Sequence, residues 1–185
     1  MVATYISGVT TVPYRSKIMG RTFGVILLAV FILEACVARP LTSAPEALIA
    51  ERTIYITRHL QKLDGSDPSL SAEGAAAAQR LGDALANKGI SAVFATATRR
   101  AMETAAPLAK RKGIEITVYD PRNPQALVDA AAASDAILVV GHSNTVHDLV
   151  ARFGAHTPPA PLTEQDYGTV FVVRPTGEVD MFEIF

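Results

Sequence analysis

The chain has 185 residues, 49% of them hydrophobic and 19% charged, with a formal net charge of −1. That length suits one compact domain with a sizeable core, and the near-neutral balance argues against nucleic acid as a partner, which calls for a basic excess or patch. A single cysteine, Cys36, excludes an internal disulfide.

Residues 1 to about 50 read differently from the rest. Arg15, Lys17 and Arg21 precede an apolar run from Gly24 to Leu33, which Glu34, Ala35 and Cys36 follow. A positive flank, a short apolar core and a small residue have the layout of a secretory signal. The run is shorter than the ~20 apolar residues a spanning helix needs. Leu33-Glu34-Ala35-Cys36 resembles a bacterial lipoprotein signal, with Glu34 an unusual member, and the resemblance implies lipidation of Cys36. An uncleaved anchor, or cleavage near Ala35 or Ala38, are the alternatives, and Met19 is an alternative start. The reading predicts a targeting segment over 1–38, a linker over 39–51 with Pro40 and Pro45, and a domain over 52–185. It places the product on the periplasmic side of a bacterial membrane, held by the N-terminal anchor.

The domain opens on a β-branched and aromatic run, residues 53–57, that ends in Arg58-His59. This composition predicts a buried strand. Asp64-Gly65 and Asp67-Pro68 mark a loop over 60–70. Ser71 is placed to cap a helix over 72–87, with Glu73 in its first turn. A short strand is predicted over 92–94. A helix over 99–111 follows, capped by Thr96 or Thr98, carrying Pro107 and stopped by Gly113. A third strand is predicted over 114–119, a loop over 120–124 and a short helix over 125–133. The apolar run 137–140 predicts a central parallel strand. It ends at Gly141-His142, and a helix starting at Asn144 or Thr145 and reaching Phe153 follows. Residues 168–174 and 179–184, joined at Pro175-Thr176-Gly177, predict an edge hairpin. The alternation predicts an α/β three-layer sandwich: a mostly parallel central sheet with helices on both faces.

Two predicted strands thus end in a histidine, His59 and His142, and a third is followed by Thr96-Ala97-Thr98-Arg99-Arg100. In a parallel sheet these ends share the edge where ligands bind. Helix starts after Thr98 and Ser143 add backbone N–H groups and positive dipole ends. No carboxylate lies within the three segments. Unopposed cations and helix starts describe a phosphate pocket.

The pattern resembles the histidine phosphatase superfamily, the phosphoglycerate-mutase-like group, in its short bacterial form. Thr57-Arg58-His59 is similar to the family's Arg-His signature. Leu70-Ser71-Ala72-Glu73-Gly74 with Gln79, then Thr96 to Ala105, then Val139 to Asn144, resemble its later segments in family order. The resemblance implies His59 as a nucleophile that forms a phosphohistidine. It implies Arg58, Arg100 and His142 as clamps on the phosphoryl oxygens, with Ser143 beside them, and no cofactor. Nearby guanidiniums disfavour His59⁺ and keep its ring nucleophilic. No histidine pair has metal-ligand spacing, so no metal is expected. Arg99 reads as a surface residue, His147 as pointing elsewhere and His156 as solvated.

Two positions depart from the family pattern. Leu60 replaces the usual glycine after the first histidine and is expected to narrow the pocket, and Gln61 stands where relatives carry a glutamate. The acid that protonates the leaving group is open: Asp120 comes first, then Glu115 and Asp129, with Asp64 also in reach of the site by sequence. The expected activity is hydrolysis of a phosphomonoester or a phosphoprotein. A mutase fits less well, because the short domain lacks inserted lid segments that keep water from an intermediate. A membrane-anchored module that only binds a phosphorylated ligand is the second class. Oligomeric state has no signature in the sequence. Cys36→Ala is expected to release the protein from the membrane fraction and to abolish globomycin-sensitive maturation. Unchanged fractionation would sink the lipid anchor.

Overall fold

The computed structural model describes residues 52–185. The expected targeting segment over 1–38, with Cys36, and the expected linker over 39–51 lie outside the described residues. In chain order the elements are β1 (Thr53–Arg58), α1 (Ala72–Leu85), β2 (Ala92–Thr96), α2 (Arg99–Lys112), β3 (Ile116–Tyr119), α3 (Pro124–Ala131), β4 (Ala136–Gly141), α4 (Ser143–Arg152), β5 (Thr169–Val173) and β6 (Val179–Glu183). The strands form one sheet in the order β3-β2-β4-β1-β5-β6. β3, β2, β4 and β1 run parallel, while β5 and β6 join antiparallel beyond β1.

Strand alternation divides the core into two layers. Tyr55, Val93, Leu138 and Val140 face one side, where they pack with Leu81 and Leu85 of α1 and Leu108 of α2. Ile54, Ile56, Ile137 and Val139 face the other, against Leu127 of α3 and Leu149 of α4. Ile137, Leu138, Val139 and Val140 all have 0% exposure. The unbroken apolar run of β4 therefore has a cause: both of its faces are covered. The expected three-layer α/β sandwich is the observed architecture.

Local chemistry explains the element boundaries. Ser71 Oγ accepts from the Gly74 N–H at 3.1 Å and starts α1. Gly113 adopts φ +65° beyond the last turn of α2, and the Ile114 N–H returns to Ala109 O. That closure uses Ile114, so β3 begins at Ile116 rather than 114. Pro107 lies inside α2 and the helix continues past it. α4 begins at Ser143, one or two residues earlier than expected, because the His142 N–H donates to Thr145 Oγ1 at 3.0 Å and His142 serves as the N-cap.

The segment after β1 is anchored against α1. Ser71 N–H donates to Gln61 O at 2.9 Å, and Lys62 bridges to Leu70. A Cβ on Gly74 would lie 2.0 Å from Gln61 O. Leu60 corrects the expectation placed on it. Its side chain is buried in the α1–α2 core layer and is absent from the pocket lining, so it does not narrow the site. Its N–H donates to Thr104 Oγ1 at 3.1 Å, which ties the residue after His59 to α2.

Gly74→Ala is expected to cost about 1–3 kcal/mol of stability, since backbone must shift to admit the methyl group. A lowered urea midpoint would register it, and an unchanged midpoint would show that residue 61 moves freely.

Candidate active site

Parallel pairing of β1 with β4 sets Arg58 opposite Gly141. The His59 N–H continues the ladder to Gly141 O at 2.9 Å. The two histidines that follow these strands therefore stand side by side, with ring centroids 5.4 Å apart and planes at 64°. Gly141 leaves little room here: a Cβ on it would meet Thr145 Oγ1 at 2.9 Å and Tyr119 OH at 3.1 Å. The first turn of α2 delivers Arg100 to the same place. Arg58, His59, Arg100 and His142 line a pocket of about 500 Å³ with Lys62, Ser143, Asn144 and Glu164.

His59 is 3% exposed. Its Nδ1 lies 2.9 Å from Leu60 O. A carbonyl only accepts, so Nδ1 carries the proton and the neutral ring keeps its lone pair on Nε2. The His59 pKa is lowered to about 4, first by burial, then by Arg58, Arg100 and His142. Sequence reasoning gave this task to the guanidiniums; burial is the larger cause. His142 is lowered to about 4 as well, by burial, Arg100 and Arg58. Its Nε2 is 2.9 Å from Thr96 Oγ1, which in turn is 3.2 Å from Thr98 Oγ1. Both imidazoles are thus neutral at pH 7.

Arg58 is almost fully buried, and a loop over 163–167 wraps its guanidinium. Nη1 donates to Thr163 O at 2.9 Å and Asp166 O at 3.1 Å. Nη2 donates to Glu164 Oε2 at 3.0 Å and Tyr167 OH at 3.3 Å. The Tyr167 ring sits 4.1 Å from the guanidinium carbon and 6.0 Å from the His59 ring. The Nε atoms of Arg58 and Arg100 are buried with no hydrogen-bond acceptor among the described residues. Such orphan donors cost about 1–3 kcal/mol each when nothing accepts from them. Arg58 and Arg100 line one pocket with two neutral histidines, and planar guanidinium donors of this kind suit an oxyanion.

The pocket is not free of carboxylates, contrary to the sequence expectation. Glu164 reaches it from the loop before β5 and accepts from Ser143 Oγ at 2.6 Å as well as from Arg58. The Ser143 hydrogen bond and then Arg58 hold its pKa below the usual carboxylate value. Asp67, from the loop after β1, accepts from the Arg99 N–H at the start of α2 and stands 3.6 Å from Arg100 Nη1. Asp120 lies apart from the histidine pocket. It lines an adjoining cleft of about 660 Å³ together with Asp67, Thr98, Val118 and Arg122. Arg100 and His142 belong to both cavities. The Asp120 carboxylate bonds Arg122 Nε and Nη2, each at 3.1 Å, and these bonds lower its pKa. A carboxylate held ionised is a poor proton donor at pH 7.

The structure therefore gathers Arg58, His59, Arg100, His142 and Ser143, and sets Asp120 in the neighbouring cleft. It directs His147 away, with Nδ1 against Pro159 O, and leaves His156 exposed. Glu164, Tyr167, Lys62 and Asp67 were missed. The usable signal was topological: a strand that runs antiparallel to β1 must begin beside the end of β1, so residues just before β5 belong to the site. Among the described residues no group of three or more His, Cys, Asp or Glu side chains is placed to hold a metal, and no helix is long and apolar enough to cross a membrane.

The family model of the histidine phosphatase superfamily (branch 1) matches residues 54–121. Solved structures align across most of the described domain. The domain has the histidine phosphatase fold. The protein histidine phosphatase SixA, solved with tungstate, aligns at a TM-score of 0.56 and 19% identity, over 70% of this chain and 94% of that one. A mycobacterial glucosyl-3-phosphoglycerate phosphatase, solved with inorganic phosphate, aligns at 0.56 and 15% identity, over 71% and 95%. The alpha-ribazole phosphatase of Shigella flexneri aligns at 0.55 and 14% identity, over 71% and 95%. No curated protein sequence matches this chain significantly. Within the histidine phosphatase fold, the family match spans β1 to the turn after β3, so it includes Arg58, His59 and Arg100 and stops short of His142 and Glu164.

An NMR titration of the His59 ring is expected to centre near pH 4. A midpoint near 6.5 would show that burial and the arginines do not act on it as described.

Proposed function

We propose that the protein is a phosphatase that hydrolyses a phosphomonoester, or a phosphoprotein, through a phosphohistidine at His59. The observation that carries this reading is the convergence of two guanidiniums, Arg58 and Arg100, and two buried, neutral imidazoles, His59 and His142, on one pocket. The ring is unprotonated at pH 7 and offers a nitrogen lone pair. Arg58 and Arg100 supply rigid planar donors to equatorial phosphoryl oxygens, where charge spreads in the transition state. The N-terminal end of α4, at Ser143, adds backbone N–H groups to the same wall. Nearness of tungstate- and phosphate-bearing solved structures in fold supports an oxyanion as the occupant.

In the first half-reaction His59 Nε2 forms a bond to phosphorus while the bond to the leaving oxygen breaks. In the second, water cleaves the N–P bond and inorganic phosphate leaves. The shared wall of Arg100 and His142 lets the leaving group project into the larger cleft. Asp120 lines that cleft with Asp67, and we retain it as the candidate for proton transfer there. Because Arg122 holds it ionised, leaving groups that depart without a proton are favoured. The signal-like layout of residues 15–36 motivates a proposed location on the periplasmic side of a membrane, with a phosphorylated compound or protein of that compartment as substrate.

His59→Ala is expected to abolish turnover of p-nitrophenyl phosphate, and Arg100→Ala to lower kcat by ~10²–10³. Retained activity in His59→Ala would overturn the phosphohistidine route. Alkyl phosphates are expected to turn over more slowly than p-nitrophenyl phosphate, and Asp120→Asn to leave the latter largely unaffected. Equal rates for both leaving groups would instead reveal an efficient acid.

A further inference from the structure

We propose that Glu164 is a resident competitor for the phosphoryl site: its carboxylate occupies Arg58 and Ser143, and a binding phosphoryl group displaces it. The proposal deepens the reading above and rests on its phosphoryl site.

Three observations lead to it. The first is position. One oxygen of Glu164 accepts from Arg58 Nη2 at 3.0 Å and the other from Ser143 Oγ at 2.6 Å. A planar anion that bridges a guanidinium and a hydroxyl at a helix start is doing what two phosphoryl oxygens would do there. The second is the contrast in burial. The Arg58 side chain is 2% exposed and that of Glu164 is 73% exposed. Displaced, the carboxylate moves into water it already largely touches, whereas Arg58 cannot leave its cation site. Arg58 keeps the Thr163 and Asp166 carbonyls and gains the oxyanion's charge as the carboxylate leaves, so the exchange does not strand a buried cation.

The third observation is that the loop does not depend on the Glu164 side chain. Its backbone holds Arg58 through Thr163 O and Asp166 O. Asp166 Oδ2 accepts from the Thr163 N–H at 2.6 Å and braces the turn. The carboxylate can therefore swing out while the loop stays docked on Arg58. The alternative task, donating a proton to the leaving group, does not suit a carboxylate that Ser143 and Arg58 keep ionised.

A competitor of this kind weakens phosphate binding by the fraction of molecules in which it has stepped aside. Removing the carboxylate removes that penalty. In the full chain, Glu164→Gln and Glu164→Ala are each expected to bind inorganic phosphate about three- to tenfold more tightly than wild type by calorimetry. The KM for p-nitrophenyl phosphate is expected to fall in parallel, with product phosphate becoming a stronger inhibitor. Unchanged or weaker phosphate binding in either variant would overturn the proposal, because loss of the carboxylate is common to both. Thermal melting of each variant verifies folding before binding is read. Phosphate binding without turnover by wild type would overturn the phosphatase reading and leave the comparison of Glu164 variants valid. Failure of all three proteins to bind phosphate would overturn the phosphoryl site itself.

Discussion

The parallel register between β1 and β4 is the constraint on which the site depends. It sets Arg58 opposite Gly141 and passes the next hydrogen bond from the His59 N–H to Gly141 O. A slip of one residue would turn the strand side chains to the opposite face. It would also expose the alternating apolar sets that now fill two core layers. The same hydrophobic pattern that stabilises the sheet thus holds two imidazoles 5.4 Å apart. No separate device is needed to align them.

A second consequence of this arrangement is electrostatic. Arg58 is a charge inside the protein, and a buried charge needs partners. The chain meets that need with a loop from the far end of the domain, which offers two carbonyls, a carboxylate and an aromatic face. The loop can do so because β5 lies antiparallel to β1 and begins where β1 ends. Arg100 is held more loosely, with Asp67 3.6 Å away. The two guanidiniums therefore differ: one is locked into the wall, the other stands between two cavities.

Much of this was legible in the chain. The apolar run 137–140 announced a central strand, and Ser71 and Gly113 bound their helices as expected, whereas Thr98 stands at the N-cap of α2 without a side-chain capping bond. Arg58, His59, Arg100 and His142 were recognisable because each sits at a strand end or a helix start, where sequence pattern and position in the fold coincide. Leu60 was misjudged because a side chain next to a candidate site residue can still point into the core, and a residue list does not reveal direction. Glu164 was invisible for a related reason. Nothing in residues 155–167 is periodic, and its place is decided by a contact 106 residues away along the chain. Loops carry much of the chemistry in folds of this kind and the least of the pattern.

The two neutral histidines also tie folding to acidity. Each ring takes up a proton near pH 6.5 when free and only near pH 4 in the folded site. Between those values the unfolded chain binds protons that the native chain refuses. Stability then rises with pH across that interval and falls as pH drops through it. A desolvated, cation-flanked imidazole pair thus keeps its lone pairs at neutral pH and is a weak point in acid. The lower pH bound on this fold is set, in part, by the two histidines of its candidate site.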